Sequence, residues 1–197
     1  MLTIKDDLRG VDAAAVRGTV DLIHRITETD LARPTPCAGW DLAALLGHMT
    51  AQHRGFAAAA RGGGGDHAVW EPRAGDSYGE AAEDVLSAFA EEGVLDRPFR
   101  MPEIDRPIPG RLAIGFHLVD YVVHGWDVAR TIDAAYQPEP AVLAAVLPIV
   151  RAVPDGPERL GPQAPFRPAL TVPAGADPLT EILLLLGRDP SWPGRNR

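Results

Sequence analysis

RLAIGFHLVDYVVHGWDVARTID, residues 111–133, decides the fold. Apolar residues occupy nearly every side of this stretch, and no proline interrupts it. Wound as a helix it has no fully polar face, so it must be packed on several sides. Each helical residue turns the side-chain direction by about 100°. His117, Asp120 and His124 then fall within roughly 60° of one another, set among Ile114, Val119, Val122 and Val123. Asp120 and His124 stand at i and i+4, the spacing at which two side chains of one helix grip one metal ion. Isolated polar groups on an apolar helix are costly to bury, so three on one stripe ask for a common partner. A divalent cation is one answer. A solvated helix face or a set of hydrogen-bonded core histidines is another. A ligand from a second helix would decide between them.

Outward from this stretch the chain reads as helices joined by proline-rich connections. Val16, Val20, Ile23 and Ile26 recur at three- and four-residue steps, which predicts a helix from about Asp12 to Thr29. Pro34 and Pro36 break the pattern. A second helix is expected from Asp41, a natural N-terminal cap, to about Arg61. The run Gly62–Gly65 ends it. A third covers Gly79 to Gly93, with Ala82, Val85, Leu86 and Phe89 as its buried stripe. Arg97 to Pro109 holds four prolines and reads as an extended connection. A fifth helix follows Pro140 through Arg151, and a last one spans Pro178 to Leu186, closed by Gly187. Between them lies the proline-rich stretch 154–173, where Ala169 to Val172 suggest a short strand. No repeat or domain boundary interrupts the pattern. The expectation is one all-α domain over residues 1–197, a helix bundle with long crossover connections.

Composition narrows the function. The length of 197 residues is ample for one hydrophobic core. A formal net charge of -8 weighs against a nucleic-acid partner and against a polybasic membrane anchor. No apolar run approaches the length of a membrane span. MLTIKDDLRG lacks the charged and apolar regions of a secretory signal, so a cytoplasmic location is expected. Cys37 is the single cysteine, which excludes an intrachain disulfide and a cysteine-based zinc cluster.

Four histidines lie outside the 111–133 stretch. His67 follows the glycine run in a loop. His24 and His53 sit beside Arg25 and Arg54 and read as surface or rim residues. His48 differs, because it follows Ala43-Ala44-Leu45-Leu46-Gly47. On a helical projection its stripe holds Ala44, Ala51 and Gly55, which leave room around the imidazole, and Gln52 flanks it. His48 is therefore the natural third ligand. Two imidazoles and a carboxylate leave open coordination positions, as catalytic sites require. Such a set suits zinc, and also nickel, iron or manganese. Asp127, one turn beyond His124, is placed to orient that imidazole or to make an interhelical or capping hydrogen bond. Trp126, on the opposite side of the helix, reads as packing. Cys37 has no histidine or lysine neighbour in sequence and reads as structural.

RPTPCAGWDLAALLGHM, residues 33–49, and DYVVHGWDVAR, residues 120–130, resemble the two signatures of the actinobacterial branch of the DinB/YfiT-like superfamily. That branch includes the N-terminal domain of mycothiol-dependent maleylpyruvate isomerase. LLGRDP, residues 185–190, is similar to its usual ending. The resemblance implies an up-down four-helix bundle, here with an extra C-terminal helix, and a divalent metal held by three side chains. Carried over by position, these are His48, Asp120 and His124. Many members resemble a histidine version at position 120, and the isomerases a glutamate version; aspartate keeps the charge with a shorter reach. His117 lies outside the motif and is a candidate fourth ligand, a base beside the metal, or a core histidine. The isomerases also carry an added C-terminal domain for which this chain, ending at Arg197, leaves no room, so the substrate stays open.

The implied activity is a zinc-dependent mycothiol S-transferase or thiol-dependent isomerase. Its partners would be a small-molecule thiol and an electrophile. Candidate catalytic residues beyond the metal centre are His117, Asp127 and Gln52. A metal-dependent hydrolase or lyase without a thiol, and a non-catalytic metal-binding homodimer, are the alternatives.

Overall fold

A computed structural model describes residues 4–161 and 164–193. Six helices follow in chain order: α1 Arg9–Ile23, α2 Leu42–Ala60, α3 Tyr78–Ala90, α4 Gly110–Thr131, α5 Pro140–Arg151 and α6 Pro178–Leu185. Local chemistry sets several of their starts. The Asp41 carboxylate accepts from the Ala44 N–H at 2.9 Å, and Asp177 accepts from the Thr180 N–H at 3.1 Å. Ser77 caps α3 in the same way. Pro140 and Pro178 open α5 and α6, where a missing N–H costs nothing. α1 stops short of the expected Thr29. Thr27 instead caps a short 3-10 turn, Glu28–Asp30, whose Asp30 carboxylate reaches back to the Thr27 N–H.

α1 packs on α3 and α4, and α2 packs on the same two helices, so the first four helices surround a shared interior. α5 leans on α1 and α4, with α6 outside it. α4 is buried on almost every side, from Leu112 to Thr131. The fold is mostly helical rather than purely so. Residues 97–109 are not a bare connection: β1 Pro98–Met101 and β2 Ile104–Pro109 pair antiparallel, with Phe99 opposite Ile108 and Met101 opposite Ile104. Phe99, Met101 and Ile108 bury their side chains in the core. The prolines are tolerated because a two-stranded ribbon has only edges. Ala169 to Val172 form no strand, since Pro168 and Pro173 bracket them and Leu170 makes a lone backbone bond to Leu184. Among the described residues no helix is long and apolar enough to cross a membrane.

Two apolar clusters meet at a polar layer. One gathers Phe56, Phe89, Phe99, Ile114 and Leu118; the other gathers Leu42, Leu45, Met49, Tyr78 and Tyr121. Between them Asp12 of α1, His53 of α2 and His117 of α4 are all buried. Trp70 closes one side of α2 by lying flat over Gly55. A Cβ there would come within 2.1 Å of the indole.

Candidate metal centre

α2 and α4 bring His48, Asp120 and His124 together, with one potential ligand atom from each lying within 4.8 Å of the others. The Asp120 Oδ1 is 3.3 Å from His124 Nε2. The His48 and His124 rings meet edge to face with centroids 5.3 Å apart. Burial lowers the His48 pKa to about 4, against the pull of the Asp120 charge. At neutral pH its imidazole is uncharged and offers a lone pair. Burial works against the Asp120 carboxylate, but the adjoining His124 outweighs it and holds that pKa well below the usual range. The other carboxylate oxygen, Oδ2, is buried without a hydrogen-bond partner. Orphaned buried acceptors are rare because they cost free energy, and a cation between the three side chains would satisfy this one.

His124 is steered from behind. Its Nδ1 lies 2.9 Å from Asp127 Oδ2. Asp127 is fully buried, and its pKa is lowered despite burial by His124 and by the charge of Arg188. An ionised carboxylate only accepts, so Nδ1 carries the hydrogen and Nε2 faces His48 and Asp120. Arg188, just beyond α6, donates its Nε to Asp127 Oδ1 at 3.2 Å and its Nη2 to Oδ2 at 3.2 Å. Without a bound metal the two flanking carboxylates raise the His124 pKa well above its usual value, overcoming burial.

Cys37 joins this second group. Its Sγ lies 3.1 Å from Asp127 Oδ2, 3.3 Å from Arg188 Nη2 and 3.8 Å from His124 Nδ1. Cys37, His124 and Asp127 also meet the spacing of a metal group. The Arg188 guanidinium already fills that place with positive charge. The sequence gives no hint of this, since Cys37 and Arg188 are 151 residues apart.

His117 is not part of the metal group. Its Nδ1 meets Asp12 Oδ1 at 2.7 Å, and its Nε2 meets His53 Nδ1 at 3.1 Å, so both nitrogens are engaged inside the core. His53 corrects the surface placement expected from sequence. It is fully buried and stacked on Tyr121 at 4.0 Å. Its neighbour Arg54 faces another way because adjacent helical residues diverge by about 100°. The usable signal was its i±4 stripe with Met49 and Ala57. His24 and His67 are exposed, and Trp126 is packed.

A cleft of about 510 Å³ opens beside the centre, lined among others by Trp40, Gly47, His48, Gln52, Trp70 and Glu103. The Trp40 ring, 38% exposed, lies 4.8 Å from the His48 ring. A smaller cavity of about 190 Å³, lined by Ala14, Gly18 and Tyr136, includes none of the three converging side chains.

Residues 13–129 match the model of the mycothiol maleylpyruvate isomerase N-terminal domain, and the chain belongs to that family. The match spans α1 to α4 and so includes all three candidate ligands. Two relatives from Mycobacterium tuberculosis, the uncharacterized proteins MT0763 and Rv0738, are each 27% identical over 177 residues, covering 85% of this chain and 90% of theirs. No solved structure matches the chain.

Proposed function

We propose that the protein is a divalent-metal-dependent enzyme of small-molecule thiol chemistry, a mycothiol S-transferase or a thiol-dependent isomerase. The observation that supports this reading is the convergence of His48, Asp120 and His124 from two helices, with His48 on the wall of an open cleft. The family's name associates this kind of domain with mycothiol. Two nitrogens and one oxygen, with the unpartnered Asp120 Oδ2 among them, fit zinc in the three-ligand form that leaves a position for a small molecule. When bound, zinc supplies positive charge that favours a thiol as its thiolate near neutral pH.

The chain's own residues divide the remaining tasks. His48, Asp120 and His124 would hold the ion. Asp127, fixed by Arg188, holds the proton on His124 Nδ1 and keeps Nε2 free as a donor atom. Trp40 shields His48 from bulk water and gives the bound molecules a flat apolar wall. Gln52, half-buried on the same wall, offers an amide donor and acceptor to orient the electrophile.

Cobalt substitution tests this reading. With cobalt shown to occupy the site, a titrated thiol should produce a thiolate-to-metal absorption band. Mycothiol should produce it at lower concentration than 2-mercaptoethanol, because its sugar groups add contacts. Absence of a band at saturating thiol would overturn the thiol reading and leave a hydrolase, a lyase or a non-catalytic protein.

A further inference from the structure

The charge of the cleft says what kind of co-substrate it accepts. Its acidic walls are Glu71 and Glu103, with the His67 imidazole beside Glu103, and no arginine or lysine side chain lines it. Arg54, which approaches Glu71, binds that residue's backbone carbonyl at 2.5 Å and pairs with Asp76 at 2.7 Å, so its charge is already balanced. Burial and the nearby Asp120 charge raise the Glu103 pKa, against the opposing pull of His67. A divalent ion in the centre does not reverse this balance. Its two positive charges would be matched by Asp120 and one thiolate, which leaves Glu71 and Glu103 with only the His67 imidazole near Glu103. An anion entering the cleft would face their repulsion with no arginine or lysine side chain to receive it. The aromatic wall points the same way, because the exposed face of Trp40 attracts cations.

We propose that the second molecule bound in this cleft is an organic cation, a substituted ammonium compound, and not a dicarboxylate such as maleylpyruvate. Glu71 and Glu103 balance its charge, and Trp40 supplies the aromatic face beside His48. This rests on the reading that the cleft next to the three converging residues is where the reaction takes place.

The experiment is calorimetric titration of the zinc-loaded protein with three probes: benzyltrimethylammonium, benzyl alcohol and maleate. The quaternary ammonium cannot ligate the metal, so its binding reports on the cleft. It should bind about tenfold more tightly than benzyl alcohol, as expected for one or two partly screened charge contacts. That preference should vanish in Glu71→Gln/Glu103→Gln, surface changes that leave the fold intact. Trp40→Ala should weaken the ammonium several-fold and hardly change maleate. Maleate or benzyl alcohol binding as tightly as the ammonium, or a preference that survives in the double glutamine variant, would overturn the proposal. The cobalt–thiolate band, measured on the same preparations, keeps the two readings separate. A band without ammonium binding sinks this inference alone, and ammonium binding without a band sinks the thiol reading alone.

Discussion

Replacing Asp127 by asparagine tests the centre at its most constrained point. The carboxylate is fully buried and takes hydrogen bonds from the His124 imidazole, two nitrogens of Arg188 and the Cys37 thiol. Asparagine keeps the shape but removes the charge, and its amide group brings a donor where only donors already point. Arg188, 8% exposed, becomes a buried cation without a counter-ion. Breaking a buried pair by removing one partner costs about 3–5 kcal/mol. A domain of this size holds about 5–15 kcal/mol, so the variant should fold but melt roughly 6–20 °C lower. Zinc affinity should fall roughly 10- to 100-fold, because His124 loses the charged acceptor that fixes its tautomer. Adding Arg188→Met removes the orphaned charge, so most of the stability should return while the metal affinity stays low. Thermal unfolding by circular dichroism and competition with a chromophoric chelator measure the two effects. If Asp127→Asn melts within about 2 °C of the parent and holds zinc unchanged, the steering role of Asp127 is wrong.

Three other outcomes follow from the same packing. Asp120→Ala should lose its metal by elemental analysis and keep its helical circular dichroism, because the core is apolar and extensive, unlike a zinc finger's; joint loss of metal and helicity would mark the centre as structural. Gly55→Ala should cost about 1–3 kcal/mol in urea unfolding and shift tryptophan fluorescence, since the new methyl group displaces Trp70; an unchanged midpoint would refute the close approach. His53 is held uncharged in the fold, its pKa pushed well below the usual value by burial and by His117. The unfolded chain takes up that proton near pH 6.5, so this residue's contribution is complete above that pH and lost progressively below it, at up to about 1.4 kcal/mol per pH unit. Urea midpoints between pH 7 and 5 should therefore fall less steeply for His53→Gln than for the parent, and parallel slopes would contradict the assignment.

The convergence of His48, Asp120 and His124 was legible because its information is local. Asp120 and His124 share one helical stripe, and His48 stands out among small apolar neighbours. The buried layer was not, because each partner comes from another helix. His117 meets Asp12 and His53 across 105 and 64 residues, and no periodicity within α4 reports that. His53 was misplaced because a charged neighbour in sequence is no neighbour on a helix. The hairpin was masked by its prolines, although Phe99 and Met101 carry the period of a strand. Arg188 was visible only as part of a motif ending, with nothing to show that it crosses to Asp127.

That crossing has a consequence for how the centre comes together. During synthesis, Cys37, His48, Asp120, His124 and Asp127 all leave the ribosome before Arg188 does. Without Arg188, the buried Asp127 carboxylate would face His124 and Cys37 with no cationic side chain beside it. In the folded chain the Arg188 guanidinium lies against Asp127 and Cys37, so the positive charge beside this second group comes from the chain itself. The last-made part of the chain thus completes the charge balance around Asp127, on the far side of His124 from His48 and Asp120.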